Sequence, residues 1–233
     1  IDSNSLVNIA SKVFGYKINS FSVLSKNPKY DESELIDYSL KNIKSNHENL
    51  KINFKECNFI DNLNKQINYH DSPVTTINSF LQFLLLNKVK KSGFKVCMSG
   101  IGSDEIFSGY YDHHLLYLNE IRNKKKLFSE SVENWKNNIK PITQNPYLQN
   151  FDLYINNSKF RNHVYQCEDF KKKIFIRKKN FFFKEENYVS SLMKNRMINE
   201  LRNETVPIIL KEDDLNSMYY SIENRSPYLD RDL

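Results

Sequence analysis

The sequence predicts an α/β fold with a doubly wound parallel sheet, followed by a mainly helical C-terminal half. Strand-like and helix-like segments alternate through residues 1–110, which is typical of parallel strands covered by helices on both faces. From Tyr111 onward helix-like segments continue, while clear strand alternation disappears. We therefore interpret residues 1–233 as one domain with an α/β core at 1–110 and a helical half at 111–233.

Each element of the core has a local signal. Apolar residues between Leu6 and Phe14 recur at helical spacing, and Gly15 can end this first helix. Apolar alternation and breakers such as "DSP" mark the other elements. Strands are predicted at Ile18–Leu24, Leu50–Phe54 and Phe94–Met98, with further helices at Tyr30–Ile43, up to Tyr69, and between Pro73 and Gly93.

The charges of the chain are mixed. A total of 34 Lys and Arg against 28 Asp and Glu gives a net charge of +6, which would permit an anionic partner such as RNA or a nucleotide. Acidic and basic residues are interleaved, however, and this favours solvated faces. The basic and aromatic segment Lys171–Asn187 could grip single-stranded nucleic acid or form an amphipathic segment with Phe inward. We favour the second interpretation and predict no nucleic-acid partner.

Cysteine usage and hydropathy indicate where the protein works. Cys57, Cys97 and Cys167 are widely spaced and contain no C-x-x-C pair, which favours reduced thiols and a cytoplasmic location. The most apolar stretch, Phe80–Leu86, is about a third of the roughly 20 residues that cross a bilayer. It therefore predicts a buried helix and no membrane association.

A glycine-rich turn with two carboxylates follows the third strand, at the end of a sheet where ligands bind in open α/β folds. In "SGIGSDE", Gly100 and Gly102 let the backbone approach a ligand, and the N–H groups of such a turn suit phosphate oxygens. Asp104 would repel a phosphate unless a cation lies between them, which implies Mg²⁺. Alternatively, Ser103, Asp104 and Glu105 only stabilise the first turn of the next helix.

A second carboxylate has a similar placement. Asp2 precedes Ser3 at the beginning of the first helix. Two carboxylates on neighbouring strand-end turns make a magnesium–pyrophosphate clamp geometrically reasonable. Asp2 and Asp104 are the candidate ligands.

Several ordered motifs extend this pattern over the whole chain. "SGIGSDEIFSGY" is similar to S-G-x-G-x-D-E-x-F-x-G-Y, and "SMYYSIENRSPYLD" is similar to S-M-x-x-S-x-E-x-R-x-P-F-L-D. "IDSNSL" resembles the tail of a pyrophosphate loop, S-G-G-x-D-S, while "NSFSVL" resembles an adenine-cradling strand and "YDESELI" a D-E-x-x-x-A helix start. Together they resemble the asparagine synthase family, the synthetase domain of glutamine-dependent amidotransferases.

This resemblance implies a PP-loop ATP pyrophosphatase of the adenine-nucleotide α-hydrolase type. ATP would adenylate a carboxylate, most simply the aspartate side chain, magnesium pyrophosphate would leave, and ammonia would convert the acyl-adenylate into an amide. Asp2 and Asp104 would be catalytic and hold Mg²⁺. The remaining ATP contacts implied are Ser3, Ser99, Gly100 and Gly102 for the phosphates, and Ser22 and Val23 for adenine.

The resemblance also implies an acceptor site and supporting residues. Ile101, Asp213, Asp214 and Ser217 match positions near the acceptor pocket, although the last three could equally form a capped helix start after Pro207. A second group of residues would have only a structural role, holding this turn in place. It consists of Glu223 and Arg225 as an ion pair, and Glu105.

One departure from the family pattern concerns the acceptor. Many asparagine synthetases carry Glu between the two glycines, and β-lactam-forming relatives carry Tyr, whereas this chain has Ile101. Ile can neither ionise nor donate a proton. This opens the alternative of an amidotransferase acting on another carboxylate, such as a sugar or peptide acid in envelope biosynthesis.

The resemblance also implies parts that these 233 residues do not contain. They are the loop glycines before Ile1, a Lys beyond Leu233 and a glutaminase domain that supplies ammonia. We therefore expect a piece of a longer enzyme that is inactive alone. A non-catalytic nucleotide-binding domain and, last, a PP-loop RNA-modifying enzyme remain alternatives, and a homodimer remains an option.

Overall fold

The protein is described by a computed structural model covering residues 2–25, 31–41, 43, 45–53, 57–157 and 184–233. Three sequence predictions fall wholly or mostly outside these residues: Cys167, the amphipathic segment of Lys171–Asn187 as far as residue 183, and the end of the predicted strand at Phe54. The helices and strands alternate through the first hundred residues, as the sequence predicts for an α/β protein.

The elements are numbered in chain order. The strands are β1 (Ile18–Leu24), β2 (Ser45–Lys51), β3 (Val96–Met98) and β4 (Glu223–Arg225). The helices are α1 (Asp2–Asn8), α2 (Ser33–Leu40), α3 (Phe59–His70), α4 (Ile77–Lys91), α5 (Ser103–Phe107), α6 (Tyr111–Glu120), α7 (Lys125–Asn134), α8 (Phe151–Asn156), α9 (Leu192–Arg202) and α10 (Thr205–Tyr219). Single π-helical turns follow α1 at Ile9–Val13 and α7 at Trp135–Ile139, and 3-10 turns lie at Pro146–Leu148 and Pro227–Leu229.

The strands pair in parallel but form two small sheets within the described residues. β1 pairs with β2 and β3 pairs with β4, so each sheet has two strands. The prediction of a mixed α/β protein with parallel strands is therefore confirmed at this level, whereas a single doubly wound sheet is not seen. The last strand, β4, interrupts the half of the chain that was expected to be helical.

Strand β2 was predicted at the wrong place. The structure has it at Ser45–Lys51, overlapping the predicted Leu50–Phe54 only at its end. Its residues SNHENLK are mostly polar and exposed. They form a strand through backbone pairing with β1, in which Ile18 lies opposite Ser45. A strand with this composition shows no apolar alternation, so pairing with β1 decides where it begins.

The chain folds into two compact units. The first unit comprises residues 1–103 and 205–233, and the second comprises residues 104–204. The end of the chain belongs to the first unit because β4 pairs with β3 and α10 packs against α4. This grouping differs from a division at residue 110, since the sequence signal of β4 is only three polar residues.

Each unit has its own apolar core. In the first unit Leu86 and Val89 of α4 pack with Ile222, which immediately precedes β4. In the second unit the core is a cluster from α6, α7 and α8 that includes Leu115, Trp135 and Tyr154. No helix in the described ranges combines the length and apolar character needed to span a bilayer.

Candidate functional site

The turn after β3 lies directly against the beginning of α1. A Cβ atom at Gly100 would stand 2.9 Å from Asp2 Cβ and 3.0 Å from the backbone nitrogen of Ser3. The backbone N–H of Ser99 donates to the carbonyl of Arg225 at 2.9 Å, and the Tyr228 hydroxyl donates to the carbonyl of Asp2 at 3.0 Å. Three separate parts of the sequence, which begin at residues 1, 99 and 225, therefore meet at one place in the first unit.

The second glycine of the turn is fixed by the last motif of the chain. Gly102 has a φ of +93°, and a Cβ atom there would overlap the side chain of Leu229. A side chain at this position would thus be strained in its backbone and would collide with its neighbour. Leu229 belongs to "SPYLD", so this contact joins two of the motifs found in the sequence.

A polar network lies at the same strand end. Asn224 donates its side-chain N–H groups to Ser99 Oγ, at 3.3 Å, and to Asp213 Oδ2. The Asn224 oxygen accepts from the Cys97 thiol at 3.1 Å, and the hydroxyls of Ser99 and Ser226 lie 3.3 Å apart. Side chains from β3, α10 and the turn after β3 therefore converge on Asn224 of β4.

Asp213 is the buried carboxyl of this network. Only 3% of the residue is exposed, and its Oδ1 has no hydrogen-bond partner among the described residues. Burial, followed by the negative charge of Asp214, raises the pKa of Asp213 to about 7. The neighbouring Asp214 is exposed. The two carboxylates, which were predicted together as acceptor-site residues, therefore have different environments.

The turn also carries a buried hydroxyl. Ser103 is 4% exposed, and its Oγ lacks a hydrogen-bond partner in the part of the chain that the structure describes. An unpaired buried hydroxyl costs about 1–3 kcal/mol unless a ligand or water satisfies it. Its position directly after Gly102 suits a donor to phosphate oxygens, which is an observation in favour of the phosphate site that the sequence predicts.

The remaining predicted carboxylates belong to the second unit. Asp104 is half-buried in the first turn of α5, and its side chain fills the space that a Cβ atom at Gly109 would take. Glu105 is buried and accepts a hydrogen bond from the Tyr110 hydroxyl at 2.5 Å. Burial, and then this bond to Glu105, raise the pKa of Tyr110. Asp2 and Asp104 thus lie in different units, and their joint role stays a proposal.

The other predicted residues have these positions in the first unit. Ser22 and Val23 are half-buried in the C-terminal half of β1, opposite Asn49 and Leu50 of β2. Ser217 is buried, and its hydroxyl donates to the carbonyl of Asp214 at 3.0 Å. Ile101 is half-buried in the turn, and Arg225 Nε lies 2.8 Å from Glu223 Oε1 with both side chains exposed.

A cavity of about 400 Å³ opens beside this strand end. Residues of α1, β1, α4 and β3 line it, and most of their side chains are apolar. Ser3, Ser99 and Asn224 are polar residues on its wall. The cavity therefore combines an apolar surface with polar groups from the motifs, as small-molecule sites do.

Sequence reasoning missed Asn224, Cys97 and Ser226. Asn224 occupies the unspecified position between Glu and Arg in the motif S-I-E-N-R-S-P, so the resemblance gave no reason to select it. The sequence offered no usable signal, because the three residues of β4 are all polar. Only the structure shows that Asn224 is half-buried between two exposed neighbours.

A second cluster of ionisable groups lies within the second unit. Asp112, His113 and Glu200 are buried and close enough to hold a metal ion. Arg196, however, lies among the same groups, with Nε 2.9 Å from Glu200 and 3.4 Å from Asp112. His113 Nε2 is 2.8 Å from Glu200. The guanidinium supplies the positive charge that these carboxylates need, so we interpret the cluster as structural.

The chain was compared with known proteins. The sequence model of the Asparagine synthase family matches residues 1–233. Asparagine synthetase [glutamine-hydrolyzing] 2 of Lotus japonicus is 33% identical over 131 residues, which are 54% of this chain and 20% of that protein. Asparagine synthetase 1 of Saccharomyces cerevisiae is 45% identical over 65 residues, and asparagine synthetase B of Escherichia coli is 43% identical over 60 residues.

The chain belongs to the asparagine synthase family, because the family match covers all of its residues. The similarity to individual relatives is local. The yeast and Escherichia coli matches cover 28% and 25% of this chain and about a tenth of each relative. The chain thus matches a fifth or less of the length of these relatives.

Proposed function

We propose that this chain is the ATP-using synthetase part of a glutamine-dependent amidotransferase. It adenylates a carboxylate with release of pyrophosphate, and ammonia then displaces AMP to form an amide. The observation that carries the proposal is the meeting of Asp2, Gly100 and Arg225 at the end of β3. Each of these residues comes from a different family motif, and a packed strand-end turn is where open α/β sheets bind nucleotides.

The residues of the turn have separate roles in this proposal. The backbone N–H groups of the turn around Gly100 and Gly102 would bind the phosphate oxygens. Ser99 and Ser103 would add hydroxyl donors, and the buried Oγ of Ser103, which has no hydrogen-bond partner among the described residues, supports this role. Ser3 contributes from the beginning of α1. Donors fixed before the reaction stabilise charge that develops on the departing pyrophosphate.

Asp2 and Asp104 are the residues that would hold Mg²⁺. Oxygen ligands suit this ion, and both carboxylates lie within the sequence motifs that resemble phosphate-binding loops. The bound ion would neutralise charge on the pyrophosphate as it leaves. Asp104 is held by its contact with Gly109, whose missing side chain leaves room for the carboxylate.

The fold extends the proposal to the nucleotide base. We propose that β1 and β3 belong to one doubly wound sheet of the PP-loop type. Both pairs of strands are parallel, and residues of β1 and β3 line the same cavity, which supports this arrangement. Ser22 and Val23 would then contact adenine through backbone groups.

The acceptor of the proposed reaction is the aspartate side chain, giving asparagine, with ammonia from a glutaminase domain. Asp213, Asp214, Ser217 and Ile101 are the acceptor-site candidates. Ile101 favours a second candidate, an amidotransferase for another carboxylate, because no charge between the glycines can meet an ammonium group. Cys57 and Cys97 are both thiols, which supports a reducing, cytoplasmic setting.

Product analysis tests this proposal. The full-length protein is incubated with ATP, Mg²⁺, ammonium and a panel of carboxylates that includes aspartate, and nucleotides are separated by chromatography. We expect AMP and pyrophosphate in equal amounts, dependent on one carboxylate. ADP as the product would overturn the proposal, and ATP binding without turnover would favour a non-catalytic nucleotide-binding domain.

A further inference from the structure

The side chain of Asn224 uses both its N–H groups and its carbonyl oxygen in the strand-end network. An asparagine amide provides two N–H donors and one carbonyl acceptor. One donor reaches Ser99 Oγ at 3.3 Å and the other reaches Asp213 Oδ2, while the oxygen accepts from Cys97 Sγ at 3.1 Å. Cys97 belongs to β3, Ser99 to the turn after it and Asp213 to α10, so Asn224 connects elements that are far apart in sequence.

The partners also determine which way the amide faces. A flipped amide would direct its oxygen at the ionised carboxylate of Asp213. It would also lose the two N–H hydrogen bonds to Ser99 and Asp213. The thiol of Cys97 must remain protonated to donate, and burial followed by the charge of Asp213 raises the pKa of Cys97 to about 11. The N–H side of Asn224 therefore faces Ser99 and Asp213.

We propose that Asn224 is a positioning residue that orients the Ser99 hydroxyl as a donor to a phosphate oxygen of the nucleotide. The proposal rests on the proposed function, because it assigns Ser99 to a phosphate. Asn224 itself acts through Ser99.

The directions of the hydrogen bonds around Ser99 favour a phosphate oxygen as its acceptor. A serine hydroxyl has one proton, and Ser99 Oγ already accepts from Asn224, so its own proton is directed away from the amide. The neighbouring Ser226 hydroxyl, 3.3 Å from Ser99 Oγ, is a weak competitor because it can donate as well as accept. A phosphate oxygen accepts only, and a hydrogen bond to a charged acceptor is about twice as strong as a neutral one.

Asn224 is not needed to hold β4 in place. The pairing of β3 and β4 uses backbone groups, and the Ser99 N–H bonds to the backbone carbonyl of Arg225. The Asn224 side chain instead lines the cavity together with Ser99. Its removal should therefore affect the nucleotide more than the fold.

The test is a double-mutant cycle in the full-length protein, with ATP–pyrophosphate exchange as the assay. We expect S99A and N224A each to raise the KM for ATP about tenfold, as for one hydrogen bond to a charged group. The double variant should be no worse than S99A, because Asn224 acts only through that hydroxyl. N224D keeps the volume, loses the donors and adds a charge beside Asp213, so at pH 8 it should raise the KM for ATP at least as much as N224A. The exposed Asn137→Ala serves as the control.

Each outcome has a defined meaning. Additive effects of S99A and N224A, or an N224A variant with an altered melting temperature and an unchanged KM for ATP, would overturn the role of Asn224. An N224D variant with the wild-type KM for ATP would also overturn the role of Asn224. This outcome can be read even if N224A does not fold. A wild-type protein without exchange activity would instead overturn the proposed function, and this inference with it.

Discussion

Leu229 packs against the backbone of Gly102, in the space that a side chain at this glycine would need. The two residues are distant in sequence and close in the first unit. Their contact attaches the motif at the end of the chain to the turn that follows β3. The packing of the turn can therefore be measured through the stability of a variant at Gly102.

We predict that Gly102→Ala destabilises the protein by more than its backbone conformation alone requires. A positive φ costs alanine about 1 kcal/mol, and overlap with Leu229 adds about 1–3 kcal/mol. Gly15→Ala is the matched control, because Gly15 has a φ of +70° and no atom of the described residues lies within 4 Å of where its Cβ would be. Urea unfolding provides the free energies.

The overlap can be isolated by removing the leucine. In a Leu229→Ala background, Gly102→Ala should cost about as much as Gly15→Ala does in the wild type. If Gly102→Ala costs the same with and without Leu229, the packing of these two residues is not as described.

The pH dependence of stability should report on Asp213. Its pKa is raised to about 7 in the folded protein, whereas an unfolded Asp has a pKa of about 3.9. The folded state therefore holds this proton more tightly, and the corresponding stability is present below about pH 4 and lost as the pH rises through about 7. Asp213→Asn removes this loss, because the amide does not ionise.

Stability of the wild type and of Asp213→Asn is measured by urea unfolding between pH 4 and pH 8. We expect the free energy of unfolding of the variant to increase relative to that of the wild type as the pH rises. The contributions of other ionisable groups should cancel in this comparison. Parallel curves over this range would show that Asp213 titrates with an ordinary pKa.

A third prediction concerns the buried charges of the second unit. Arg196 is 5% exposed at its side chain and pairs with Glu204 at 2.7 Å and Glu200 at 2.9 Å. Arg196→Met leaves these carboxylates buried without their cation, so we expect a loss of about 3–5 kcal/mol. Arg122 forms an exposed pair with Asp152, and Arg122→Ala should cost at most about 1 kcal/mol. Equal losses in chemical denaturation would contradict a structural role for the cluster.

The local parts of the fold were accessible from sequence. The strand Ile18–Leu24 has the predicted bounds, because a short segment with Ile, Phe, Val and Leu lies there between Gly15 and Pro28. The positions of the strands β2 and β4 could not be predicted from the sequence. Their residues are polar, and their position depends on partners far away in the chain. Apolar periodicity reports burial, and it carries no information on such pairing.

The candidate site shows the same division. Glycines and carboxylates at the end of β3 were recognisable, because they follow an apolar strand directly in the sequence. The burial of Asp213 beside an exposed Asp214, and its bond to Asn224, depend on how α10 packs. Neighbouring residues of the same type give no sequence signal for such a difference.

Acceptor choice should depend on Ile101. This residue lies between Gly100 and Gly102 in the turn, and a Glu there could bind an ammonium group or take a proton, a contribution of roughly 10²–10⁴-fold for a positioned base. We expect Ile101→Glu in the full-length protein to change kcat/KM for aspartate and other carboxylates, with little change in KM for ATP. Ile101→Gln controls for size without charge. A change confined to the KM for ATP would mean that the side chain does not face the acceptor.

The most direct test of the account is the dependence of ATP–pyrophosphate exchange on Asp104. In the full-length protein Asp104→Asn keeps the volume beside Gly109 and removes the charge that would hold Mg²⁺, so exchange should fall by about a thousandfold. Asp61→Asn, at an exposed position of α3, should retain wild-type exchange with an unchanged melting temperature. Exchange at the wild-type rate in Asp104→Asn would contradict the claim that this carboxylate belongs to a magnesium-dependent ATP pyrophosphatase site.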